Sequence, residues 1–336
     1  MTPLRFAAAA TAALCAVLTG PAMAQGAGED AAPAASGLML SGPWRIGPAL
    51  ENARAGLSAA ALDAKIYAAG GAGVVDPRDE FELYDPDTGR WRALSPLPVG
   101  LERFGMAAFR DRIWIAGGYS AESAAEPVSD VRVYDPVGDY WESAAPLPGA
   151  KAAFDLVAGE DALYAVGGDQ APGGLYVYDA DAESWSAAEA PVEVARRGGD
   201  AVMLDGELYL IGGVLGEAAS ARVDVFDPDA GAWRRGADLP APRAGHSAVA
   251  MDGRIHVFGG RSADLRRTLA DHLIYEAEAD AWSEGPGMVT ARTEASAVVH
   301  DGEAWLIGGG AGAGVFAPFT ALDSVDVYAH GSGAER

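Results

Sequence analysis

Cysteine is almost missing from this chain: of 336 residues only Cys15 is one, and it stands in an amino-terminal segment. That excludes disulfides, thiolate metal sites and cysteine nucleophiles from everything downstream. Positive charge is scarce as well. Twenty-four Lys and Arg stand against 48 Asp and Glu, for a net charge of −24, and Lys65 and Lys151 are the only lysines. With no basic excess to neutralise phosphates, nucleic acid and anionic lipid are excluded as general partners. Long apolar runs are lacking beyond the first twenty residues, so no second membrane segment is expected.

The amino terminus reads as a secretory signal. Arg5 supplies the positive charge, Phe6 to Thr19 the apolar stretch, and Ala22-Met23-Ala24 a small-x-small cleavage site before Gln25. The run is short for a membrane span and Gly20-Pro21 breaks it. Leu14 is not the small residue that a lipid-attachment box places before its cysteine. Residues 1–24 are therefore expected to be removed from an exported protein, periplasmic or secreted, that keeps no membrane insertion. Residues 25–41 are rich in Ala, Gly, Pro and acid, and read as a flexible leader; 331–336 read as a tail.

Glycine, in contrast, is abundant at 44 residues. Paired glycines end an apolar run six times, at 70–71, 117–118, 167–168, 212–213, 259–260 and 308–309, with spacings of 47, 50, 45, 47 and 49 residues. An aromatic pair seven residues apart follows five of them: Tyr84 and Trp91, Tyr134 and Trp141, Tyr178 and Trp185, Phe226 and Trp233, Tyr275 and Trp282. The sixth is followed by Tyr328 alone, and Trp44 stands ahead of the first with no tyrosine before it. The amino-terminal strand thus supplies what the last repeat lacks, which closes a ring of six. Each unit resolves into four strands, a to d from the axis outward. Asp205-Gly206, Asp252-Gly253 and Asp301-Gly302 form the a–b turns, with Asp63-Ala64 and Asp111-Arg112 as weaker versions.

A diglycine followed by a spaced Tyr and Trp, at a period near 50 residues, resembles the Kelch repeat. The resemblance covers residues 42–330 and implies an all-β, six-bladed Kelch-type β-propeller whose last blade is closed by the amino-terminal strand. Antiparallel alternation puts the b–c and d–a connections on one face and the tight a–b and c–d turns on the other. The long irregular connections of the first face are where binding residues are expected.

One basic residue recurs near the start of strand a: Arg54, Arg103, Lys151, Arg197 (with Arg196 beside it), Arg243 and Arg292. Such a ring would capture carboxylates bidentately. The opposing expectation is that each cation pairs with an acid of its own or the next blade. The b–c loops add Arg78, Asp79, Glu122, Asp169, Gln170, Arg261, Arg266, Arg267, His272, Phe316 and Phe319 as surface candidates.

No cofactor is implied. His246 and His256 share a hairpin without a third ligand and read as structural. The turn at Asp85 starts like a calcium loop but has Pro96 at its twelfth position, where a glutamate is required. The glycines from Gly308 lack the Lys-Ser/Thr ending of a phosphate loop. Among proteins of this broad class, galactose oxidase-like enzymes need a cysteine-linked tyrosine, which this chain cannot form. Two expectations remain: a non-catalytic module binding a protein or acidic peptide on the b–c/d–a face, or an acidic-sugar isomerase resembling sialic-acid mutarotases, or a carbohydrate binder, acting in the channel. The absence of a legible catalytic set favours the first.

Overall fold

The computed structural model describes residues 42–73, 76–123, 126–169, 174–312 and 320–330. Within them lie six four-stranded antiparallel sheets, and the only helical element is the 3₁₀ turn Val192–Val194. Strand a is Ser58–Leu62, Gly105–Phe109, Ala152–Ala158, Asp200–Leu204, Ser247–Met251 and Ser296–His300 in blades one to six. Each of these touches the next and the sixth touches the first, so the sheets close around a central channel. Trp44–Gly47 completes blade six by pairing with Val325–Ala329, Trp44 opposite Tyr328. The six-bladed propeller expected from the repeats is the fold observed.

Burial explains the sequence of each strand. Strand b has a neighbouring blade on both faces, so Ile66–Ala69, Ile113–Ala116, Leu208–Ile211 and Ala304–Ile307 are buried without alternation. Strand d is the outer edge, and Arg90–Ala93 is largely exposed. The core of the described residues is accordingly six large clusters between blades, with a small seventh of Val214, Ala219 and Ala244. Phe81 and Leu83 of blade one, for example, meet Met106, Ile113 and Tyr134 of blade two. Each such side chain contributes about 1.5–3 kcal/mol.

The aromatic pairs are cross-strand neighbours in all six blades. Their ring centroids lie 5.0–5.6 Å apart, a geometry worth about 0.5–1.5 kcal/mol beyond burial. Most of these indoles also reach back one blade. Trp91 donates to the Pro48 carbonyl, Trp141 to Ser95, Trp282 to Ala237 and Trp44 to Pro286. The first glycine of each pair yields to the next blade's backbone: a Cβ on Gly70 would sit 2.4 Å from the Leu101 carbonyl oxygen. The a–b turn of blade two differs by one residue from the expected Asp111-Arg112. The left-handed pair is Arg110-Asp111, and Arg112 already opens strand b.

Candidate functional site

The second glycine of each pair donates its N–H to the carbonyl of a residue just ahead of strand a in the following blade. The acceptors are Leu101, Lys151, Arg196, Arg243, Arg292 and, across the closure, Arg54, at 2.8–2.9 Å. This contact defines the register of the repeat and corrects two members of the basic series. Blade two carries Leu101 at this position in place of Arg103, and blade four carries Arg196 in place of Arg197.

The five cations in register are buried, none more than 1% exposed. Each reaches the carbonyl of its own blade's first glycine: Arg54 to Gly70, Lys151 to Gly167, Arg196 to Gly212, Arg243 to Gly259 and Arg292 to Gly308. Glu82, Asp224, Asp271 and Asp326 neutralise the four arginines, while Lys151 lies 4.7 Å from the Tyr176 ring centroid. Burial lowers the pKa of Arg54, Arg196 and Arg292 against the pull of their carboxylates. Arg54, Lys151, Arg243 and Arg292 therefore tie strand a to strand b within a blade and are out of reach of a partner. The capture of external carboxylates does not apply to these four.

Two residues further on, the backbone is left-handed in every blade. φ is 65° at Gly56, 51° at Arg103, 51° at Ala153, 61° at Gly198, 62° at Gly245 and 55° at Glu294. Their peptides form a closed cycle of hydrogen bonds. Arg103 donates to Gly56, Ala153 to Arg103, Gly198 to Ala153, Gly245 to Gly198, Glu294 to Gly245 and Gly56 to Glu294, at 2.7–2.8 Å. A side-chain-bearing residue in this conformation costs of order 1 kcal/mol and persists only where its surroundings hold it.

Arg103 and Glu294, held in that cycle, carry charge at the channel mouth. Arg103 lies across Gly56 of blade one and donates Nε and Nη2 to the Glu294 carboxylate at 3.0–3.3 Å. Arg261, from the b–c loop of blade five, donates Nη2 to the same carboxylate at 3.0 Å. Two guanidiniums thus share one carboxylate on one side of the mouth. Arg197 stands exposed on the other and enters no ion pair among the described residues. All four line a cavity of about 290 Å³ that continues down to Asp155, Asp200 and His246.

Four residues after the position of the buried cation, strand a carries Ser58, Gly105, Asp155, Asp200, Ser247 and Ser296 as another layer, of which Ser58, Asp155 and Asp200 line that cavity. Asp155 accepts the Ala201 N–H at 2.6 Å and Asp200 that of Ala248 at 2.9 Å, each latching to the next blade. The two carboxyls also lie close enough to couple electrostatically. Desolvation by the surrounding channel wall pushes Asp155 up to about 7 and Asp200 well above the carboxylate range, the second also through the charge of the first. Near neutral pH the pair shares a proton. His246, buried on the same wall, is held neutral, its pKa lowered to about 3 by desolvation and by Arg243. Such a set can exchange hydrogen bonds with a ligand. At about 290 Å³ the cavity lies at the lower edge of the range that buries small-molecule ligands.

Sequence comparison bears on this architecture directly. The KLHDC2/KLHL20/DRC7 Kelch-repeats domain family matches residues 153–328, just over half of the chain, and the Kelch motif matches residues 53–98 and 102–148. The chain belongs to the Kelch-repeat family. Kelch-like protein 35 of Mus musculus is 27% identical over 201 residues, covering 60% of this chain and 26% of that protein. The F-box/kelch-repeat protein At1g67480 of Arabidopsis thaliana is 38% identical over 94 residues, covering 27% of this chain and 24% of its own. The Influenza virus NS1A-binding protein homolog of Mus musculus is 34% identical over 74 residues, or 22% of this chain and 12% of that protein. The matched stretch spans about a quarter or less of each relative's length.

The remaining candidates of this Kelch propeller divide by exposure. Arg266 and Arg267 are exposed on the b–c loop of blade five, as are Asp79 and Glu122 in blades one and two. Arg78 pairs with Glu80 at 2.6 Å. His272 is removed from the surface set. It is 1% exposed, and its Nε2 lies 2.9 Å from His256 Nδ1 between blade five and the closing strand. Gln170, Phe316, Phe319 and the side chain of Asp169 lie outside the described residues. Asp155, Asp200 and Glu294 were missed by sequence reasoning. Their constant offset from the buried cation (two residues for Glu294, four for the aspartates) was the available signal.

Proposed function

We propose that this Kelch propeller is an exported, non-catalytic recognition module that binds an acidic segment of a partner protein on its b–c/d–a face. Arg197 carries the reading. An exposed guanidinium without an ion pair among the described residues, across the mouth from two others that share one carboxylate, offers bidentate charge-assisted hydrogen bonds to an incoming carboxylate. The opposite face supports the same docking direction, since its turns carry Asp63, Asp87, Asp181, Asp205, Asp229 and Asp252 and repel an acidic partner. A relative named for binding influenza virus NS1A speaks for a macromolecular partner. The modest cavity suits one side chain better than an enclosed acidic sugar. Export rests on the signal features of residues 1–24, and amino-terminal sequencing of native protein should begin at Gln25.

The test is fluorescence anisotropy with a labelled Glu-rich peptide and its Gln counterpart. The acidic peptide alone is expected to bind, and Arg197→Ala to weaken it about 10- to 100-fold, the loss of a hydrogen bond to a charged group. Equal binding of the two peptides, or an affinity unchanged in Arg197→Ala, overturns the reading.

A further inference from the structure

We infer that blade two carries an open receptor slot for an arginine side chain supplied by a partner. This does not depend on the role of Arg197. In the other blades the slot is filled from within, by four arginines and one lysine. The groups that receive these cations recur. One is a carbonyl fourteen residues on, as at Leu210 and Leu306. A second is the carbonyl at the entry to strand c, as at Glu80, Gly174, Arg222 and Ser324. A third, in three blades, is a strand c carboxylate, at Glu82, Asp224 and Asp326.

Blade two keeps the frame and lacks the occupant. Leu101 replaces the cation, Ile115 stands fourteen residues on, and Asp130 holds the strand c entry, its carbonyl accepting the Gly117 N–H as Glu80 accepts that of Gly70. Arg132 takes the place of the acid. These four residues line a cavity of about 530 Å³ together with Val99 and Glu122. Arg132 does not fill it: the side chain turns back along its own strand, donating to the Val131 carbonyl at 3.2 Å and the Asp130 carboxylate at 3.0 Å. The rim carboxylates Asp130 and Glu122 outnumber Arg132 by one charge. Leu101, Ile115 and Val99 form an apolar wall that matches the methylene stem of an arginine whose head meets the acids. Arginine, already the occupant in four blades, is the side chain whose length and head fit this frame.

The experiment titrates N-acetyl-arginine amide into the whole protein carrying ¹³C-labelled methyl groups, and reads the Leu101, Ile115 and Val99 resonances. Saturable shifts with a millimolar Kd are expected, with none from the neutral isostere N-acetyl-citrulline amide. Asp130→Asn should weaken binding about tenfold, and Leu101→Arg, which refills the slot, should abolish it. Equal shifts from citrulline, no saturable shift from arginine, or full binding in Leu101→Arg overturns the proposal. The arginine-against-citrulline contrast needs no variant to fold.

Discussion

Arg196 and Arg197 are consecutive in the chain, carry the same charge, and do opposite things. Arg196 is 1% exposed and donates to Asp224 and to the carbonyls of Glu193, Leu210, Gly212 and Arg222. Arg197 is exposed at the rim, and among the described residues only its backbone is engaged, bridging to Val214. The same division holds at the channel mouth: five blades carry an inner cation satisfied by the blade's own acceptors, and the arginines out of that register, Arg103 and Arg197, stand at the rim. The lesson is that a repeated charge in a repeat protein is first a component of the repeat. Charge that falls out of register is what remains for a partner.

Replacing each arginine in turn is the strongest way to break that contrast. Arg196→Ala takes from buried Asp224 one of its two arginine partners, leaving it to Arg222 alone, and should cost about 3 kcal/mol in urea unfolding, whereas Arg197→Ala should change stability by less than about 0.5 kcal/mol. Similar losses in the two variants would erase the distinction. The channel wall offers a middle test. A carboxyl raised in the folded state binds its proton there, so the Asp155–Asp200 pair lowers stability as pH rises from about 4 through about 7. Asp200→Asn should remove the share of this loss that belongs to Asp200, while that of Asp155, raised by its own desolvation, remains, so the variant gains on the order of 1 kcal/mol or more over wild type between pH 5 and pH 8. Thermal melts at the two pH values decide it, and a gap that does not grow with pH would refute the shared proton. Buried His256 and His272, held neutral with pKa values of about 4 and 3, act in the opposite sense, withdrawing stability as pH falls below about 6.5. The smallest effect is expected at the rim. Glu294→Gln frees Arg103 and Arg261, changes stability by less than about 1 kcal/mol, and should tighten the acidic peptide a few-fold; weaker binding would make Glu294 a positioning group for the two arginines.

The fold was legible because its determinants are local and copied. Each Tyr–Trp pair lies seven residues apart, each diglycine marks a strand end, and the stranded Trp44 announced closure. The site was less legible for a matching reason. The separation from cation to first glycine is 16 residues in five blades. Arg103 and Arg197 break that count, so reading them into the series hid that they belong to another tier. The Arg103–Glu294 bond joins residues 191 apart, and the carboxyl pair joins adjacent blades. Neither contact has any local trace, since both arise only when the ring brings distant repeats side by side.

The closing strand has a consequence in time. Arg45 of the first-made strand reaches Glu303, 258 residues later in the chain, and Trp44 must await Tyr328. The outer edge of blade six is therefore the earliest piece of the domain to be synthesised and the last to be seated. Until then Ala304, Leu306 and Tyr328 lack the indole they pack against. A chain arrested or cut short before strand c of the last blade would carry five formed blades and a loose first strand, with no ring to hold them.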